Sequence, residues 1–179
     1  MFKPRAWLLL IYKIPTEPAR KRTYVWRKLK KLGALYLQQA AALLPDKPSL
    51  RAEMDSLAAR IREYEGEVTL LDTRSVSAGW EQEVIGRFNQ QRDEEYAELA
   101  EGAERLVHEL DRESRQKKYT FAELEENEEG LASLERWQKL VAARDFFGAP
   151  GRQAAHKTLQ QASARLQQFA AQVHAQEER

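Results

Sequence analysis

Ala6–Ile14 reads AWLLLIYKI, an apolar run that ends at Pro15. A run this short and this rich in Leu, Ile and aromatic residues is a strand buried on both faces. A buried strand needs neighbours to pair with and helices to cover it, so the surrounding chain has to supply both. Thr16-Glu17-Pro18 punctuates, and Pro18 suits the first turn of a helix. That helix is predicted over about 18–32 and stops at Gly33, with Val25, Trp26, Leu29 and Leu32 as its apolar stripe.

The other side of the same helix is cationic: Arg20, Lys21, Tyr24, Arg27, Lys28 and Lys31 follow one another around it. Residues 1–33 hold ten Lys or Arg against Glu17 alone, whereas the whole chain has 29 basic and 28 acidic residues. The remainder is therefore acidic, and the near-neutral total hides a strongly positive end. Such asymmetry suits a polyanion partner. It also suits pairing of the two ends with each other, within one chain or across a dimer.

Ala34–Leu44 is apolar and is either one long strand or a hairpin turning near Gln38-Gln39; no Gly or Asn marks the turn. The 46–49 loop leads into a second helix over about 49–64, with Leu50, Met54, Leu57, Ile61 and Tyr64 on one side and Gly66 as its stop. Glu67–Thr73 is a further strand. The first 75 residues thus read β-α-β(β)-α-β, a small sandwich with helices on one face.

Beyond Ser75 strand signals cease. Helices are predicted at 78–116, 121–147 and 151–176. Thr120–Glu123 has the form of a capping box, and 148–151 (GAPG) is a break. Tyr96, Leu99, Ala103, Leu106 and Leu110, and then Ala155, Leu159, Ala162, Leu166, Phe169 and Val173, recur every three or four residues. Stripes of this kind pack helices on each other or on a dimer partner.

The sequence holds no cysteine, which removes disulfides, thiolate metal sites and cysteine nucleophiles. His108, His156 and His174 have no metal-ligand spacing, and no phosphate loop, dinucleotide glycine pattern or nucleophile elbow occurs. Acid runs at 93–95 and 125–126 read as solvated helix faces. No catalytic residue, metal or cofactor is expected, and the chain is not read as an enzyme. The longest apolar run is too short to span a bilayer and lacks a signal-peptide cleavage site, so a cytoplasmic protein without membrane contact is expected.

The order Trp7-Leu8-Leu9-Leu10-x-Tyr12-x-x-Pro15, Arg22-x-x-x-Trp26-Arg27-x-Leu29-x-x-x-Gly33-Ala34, Leu43-Leu44-Pro45 and Gly66-Glu67 resembles the N-terminal domain of the ChrB chromate-resistance regulators. The resemblance covers the first 75 residues, and the helical remainder looks like that domain's usual continuation. It implies a regulator of a chromate-efflux operon. It also implies kinship with the ferredoxin-like domains of phenylacetate-catabolism repressors and of a small CRISPR-associated dimeric nuclease. That kinship favours an α+β fold: a ferredoxin-like βαββαβ domain over 1–75, a helical domain of about three helices over 76–179, and a homodimer. The nuclease relatives carry an aspartate at the end of the first strand; Ile11-Tyr12-Lys13-Ile14 has no acid there, which argues against nuclease activity. Full-length family members carry a further C-terminal chromate-resistance domain. Without cysteine, any sensing by these 179 residues has to be oxyanion binding rather than thiol oxidation.

The expected nucleic-acid-binding residues are Arg20, Lys21, Tyr24, Arg27, Lys28, Lys30 and Lys31, gripping the phosphate backbone of promoter DNA. Arg20, Arg22 and Arg27 are the expected contacts for chromate or another oxyanion effector. The competing expectation is a dimerising interaction module without DNA contact, its basic helix docked on an acidic helical stretch.

Overall fold

The computed structural model describes residues 3–177. The element order is β1 (Ala6–Lys13), α1 (Ala19–Leu32), β2 (Leu35–Gln38), β3 (Ala41–Pro45), α2 (Pro48–Glu63), β4 (Glu67–Arg74), α3 (Ala78–Arg115), α4 (Phe121–Ala143) and α5 (Arg152–Glu177). The four strands form one antiparallel sheet in the order β2-β3-β1-β4, the βαββαβ arrangement expected of a ferredoxin-like domain. The chain divides into two compact units, Met1–Phe88 and Asn89–Arg179.

In the first unit β1 is central, pairing Leu8 with Leu44 of β3 and with Asp72 of β4. Its side chains alternate between the two faces of the sheet. Leu8 and Leu10 are fully buried on the face that α2 also covers, and Val25 and Leu29 of α1 are fully buried too. On the opposite face only the start of β1 is covered. Trp7 stacks on Phe88 with ring centroids 5.9 Å apart, meets Trp80 edge-on at 6.4 Å, and donates its indole N–H to Ser75 Oγ at 2.8 Å. Further along that face Ile11 and Leu71 are exposed, so burial on both faces holds for half the strand. Trp80 and Phe88 lie in the opening turns of α3, which is why the first unit runs to Phe88 rather than ending with β4 near residue 75.

Ala34–Leu44 is a hairpin whose turn falls at Gln39-Ala40, one residue beyond the position expected. Neither turn residue has a positive φ. A register shift between Tyr36 and Gln38 takes up the twist that a Gly or Asn turn would otherwise provide. At the end of α2 the left-handed position is occupied by Glu65 (φ 61°), not by Gly66. Gly66 is needed for a different reason: a Cβ there would lie 2.7 Å from the carbonyl oxygen of Lys13 and 2.8 Å from Ile61 Cγ2. The 46–49 loop supplies no side-chain cap to α2; Pro48 simply opens the helix, where its missing N–H costs nothing.

In the second unit α4 and α5 pack on each other and on α3. Leu110, Leu124, Leu131, Leu159, Leu166 and Phe169 form one core cluster, and Tyr96, Leu99, Val141 and Ala155 a second. The two long apolar stripes are therefore spent on each other within this unit. Thr120 Oγ1 accepts from the Glu123 N–H, as the capping box requires. α4 ends at Ala143, four residues short of the expected 147. Asp145 Oδ1 accepts the N–H groups of Gly148 (2.9 Å) and Ala149 (3.0 Å), and this local turn replaces further helix.

Of the acids at 93–95, Glu94 is exposed as expected, but Asp93 and Glu95 are engaged. Asp93 accepts the Gly151 N–H at 2.7 Å, while Glu95 holds Arg92 (3.1 Å) and Arg144 (2.6 Å). Burial lowers the pKa of the Arg92 guanidinium, with Glu95 opposing that shift. Between α3 and α4, Glu113 is buried beside Asn127, which donates to it at 2.9 Å. Burial, reinforced by a side-chain contact with Glu123, pushes the Glu113 carboxyl up to about 7.

Candidate nucleic-acid interface

α1 is built to show a cationic face. Gly33 closes it in the left-handed conformation (φ 79°), its N–H bonding to Lys30 O while the Ala34 N–H bonds to Leu29 O. Lys30 and Lys31 in the last turn complement the negative end of the helix dipole. Val25 and Leu29 anchor the helix in the core. What lies opposite them is fixed by the helical period.

Arg20, Thr23, Tyr24, Arg27, Lys28 and Lys31 line one shallow groove of about 540 Å³. Five of these were expected from the sequence; Thr23 was not. Its hydroxyl donates to Ala19 O at 3.2 Å, a bond internal to the helix that gave no outward signal. Lys28 is held by Glu53 of α2 at 2.5 Å, which neutralises it in place. Arg20, Arg27 and Lys31 are exposed and make no ion pair with any described residue. Tyr24 is 44% exposed and meets Tyr64 edge-on at 6.0 Å.

The remaining expected residues are elsewhere on the helix. Lys21 turns toward α2, with Nζ 3.4 Å from Tyr64 O and 5.6 Å from the centre of its ring. Lys30 sits over the Trp26 ring at 5.3 Å on the opposite flank. Trp26 is 49% exposed, so it belongs to this basic flank and not to the buried stripe. It lies about 100° around the helix from Val25, past the edge of what the sheet covers. Arg22 stands one turn before Trp26, about 200° around the helix from Arg20. The three arginines expected to share an oxyanion therefore do not converge: Arg20 and Arg27 line the groove and Arg22 does not.

Of the histidines, His156 Nδ1 lies 3.0 Å from Gln138 Nε2 and His174 packs on Phe121. Among the described residues, no three His, Cys, Asp or Glu side chains are grouped to hold a metal ion. No helix among them is long and apolar enough to cross a membrane.

Chemically, the groove is a row of guanidinium and ammonium donors with one phenol and one hydroxyl among them. That donor set has the chemistry to hold phosphate or another oxyanion, with the arginines able to bond in bidentate fashion.

The family described as protein ChrB, N-terminal, matches residues 22–179 of this chain. Protein ChrB of Cupriavidus metallidurans (strain CH34) is 39% identical over 93 residues, which make up 52% of this chain and 28% of that protein. The chain thus spans well under a third of the relative's length. The family match starts inside α1 and runs through the whole helical unit, so this chain belongs to the ChrB N-terminal family.

Proposed function

We propose that this chain is a DNA-binding regulator of a chromate-resistance operon, holding the phosphate backbone with the groove face of α1. The observation that carries this reading is the unpaired cationic row. Arg20, Arg27 and Lys31 are exposed on one face without a carboxylate neighbour in ion-pair range among the described residues. A row of this kind left unneutralised gains most of its interaction energy when it meets phosphates and releases their counterions. Tyr24 and Thr23 add neutral hydrogen-bonding groups between the charges. These contacts position the protein without reading bases, and no helix-turn-helix signature supplies base reading. Chromate, a tetrahedral dianion, suits the same arginines, Arg20 and Arg27, and would compete with phosphate there.

The test is titration of the protein into a fluorescent duplex carrying its own upstream region, at several salt concentrations, with and without chromate. Each lost phosphate contact lowers the slope of log affinity against log salt by about 0.9, so an Arg20→Ala/Arg27→Ala/Lys31→Ala variant loses about 2.7. Release of the duplex by chromate supports sensing at this face. An unchanged slope in the triple variant removes α1 from the interface.

A further inference from the structure

The two edges of the sheet are treated differently. β2, on one edge, has four residues and a register shift, and Arg87 Nη2 donates to its outward Tyr36 carbonyl at 2.8 Å. Shortness, irregularity and a capping charge are the usual ways in which proteins stop an edge from pairing with another chain. β4, on the other edge, has none of them. It runs eight residues in unbroken register with β1 and contains no Pro and no Lys.

The free side of β4 can be assigned from its pairing. The Ser75 N–H bonds to Arg5 O, whereas the Tyr12 N–H bonds to Ala40 O and the Asp46 N–H to Ala6 O. Odd-numbered residues of β1 therefore bond to odd-numbered residues of β4, and even-numbered ones bond to β3. The N–H and C=O groups of Val68, Leu70, Asp72 and Arg74 point outward, and none is partnered among the described residues.

We infer that this edge pairs antiparallel with β4 of a second copy of the chain, around a two-fold axis at Leu71, to make one continuous eight-stranded sheet. The edge is self-complementary. With Leu71 on the axis, the outward groups of residues 68, 70, 72 and 74 meet one another across the joint. Leu71, 43% exposed, then faces Leu71 of the second copy, and Thr69 faces Thr73, a pair that hydrogen-bonds well across strands. On the other face Leu70 opposes Asp72 and Val68 opposes Arg74. No like charges stand opposite each other. The Asp72 charge is already held by Arg51 at 2.6 Å, and that pairing draws the carboxylate toward α2, out of the joint. A two-fold perpendicular to the sheet keeps both copies of α1 on the same side. The apolar stripes of the helical unit are not available for this contact, since they are buried in that unit's own core.

The inference does not depend on DNA binding, and its test uses none. The full chain is examined by sedimentation equilibrium at micromolar concentrations, alone and as Leu71→Lys and Leu71→Glu, with circular dichroism to check the fold. Leu71 is half exposed, so either change leaves the monomer intact. The expected result is wild type at twice the 20.7 kDa chain mass. Each variant should dimerise about tenfold more weakly, because like charges meet on the axis. An equimolar mixture of the two variants should return to the dimer mass. A monomeric wild type, a Leu71→Lys chain that dimerises like wild type, or a mixture that stays monomeric would each overturn the assignment.

Discussion

Lys28 is the one lysine of the cationic groove already neutralised, by Glu53 at 2.5 Å, and this makes Glu53→Gln a sensitive probe of the proposed interface. Glu53 is itself partly exposed, on the solvent side of α2, and takes no part in the core. Removing its charge leaves the fold alone and frees one ammonium for phosphate. The gain follows from counterion release. One extra contact adds about 0.9 to the magnitude of the salt slope, which is about eightfold in affinity at 0.1 M salt and about fourfold at 0.2 M. The assay is fluorescence anisotropy of the upstream duplex over a salt series. The control is the same substitution in a Lys28→Ala background, where there is no ammonium to free and affinity should not change. If Glu53→Gln leaves the slope where it was, or tightens binding equally without Lys28, the groove does not face DNA through Lys28.

Three further outcomes test the fold around the site. Gly66→Ala should cost about 1–3 kcal/mol in urea unfolding, because its Cβ would press on the Lys13 carbonyl and on Ile61, and backbone has to shift to admit it. Leu29→Ala should cost about 2–5 kcal/mol, whereas Trp26→Ala should stay within about 0.5–1 kcal/mol; equal costs would put Trp26 back in the core. The third outcome concerns pH. Glu113 carries a folded-state pKa of about 7 against an ordinary value near 4.3 when unfolded. Its contribution is fully favourable below the unfolded value and is lost as pH rises through about 7. Glu113→Gln should therefore match wild type in urea midpoint near pH 4 and exceed it near pH 8, and a constant difference would refute a buried, protonated carboxyl.

The secondary structure was legible because its signals are local. The apolar run of β1, the period of α1 and the stripes of α3 and α5 each declare themselves within a dozen residues. The hairpin did not, because Gln39-Ala40 turns without positive φ and the compensating irregularity sits in the strand at Tyr36–Gln38. Trp26 was misplaced because periodicity gives the direction of a side chain, not the width of the surface it faces. The engaged acids of the helical unit were hidden for a related reason. Asp93, Glu95 and Glu113 look like any other acids in an acidic stretch until Gly151, Arg144 and Asn127, between 14 and 58 residues away, come to meet them. Within the groove, the sequence showed which residues could be cationic but not which were already taken. Lys21 and Lys28 are both engaged by α2, and no spacing rule within α1 reports that.

The covering of Trp7 by Phe88 bears on how this domain can be divided or grafted. A boundary drawn after the last strand would hand the sheet an indole facing water and remove the ring that stacks on it. The smallest portion that can be transplanted with its interior complete reaches Phe88, so the seam lies in mid-helix. Any fusion there has to continue as helix, and a cut at the loop after β4 would take away both aromatic partners of Trp7, Trp80 and Phe88.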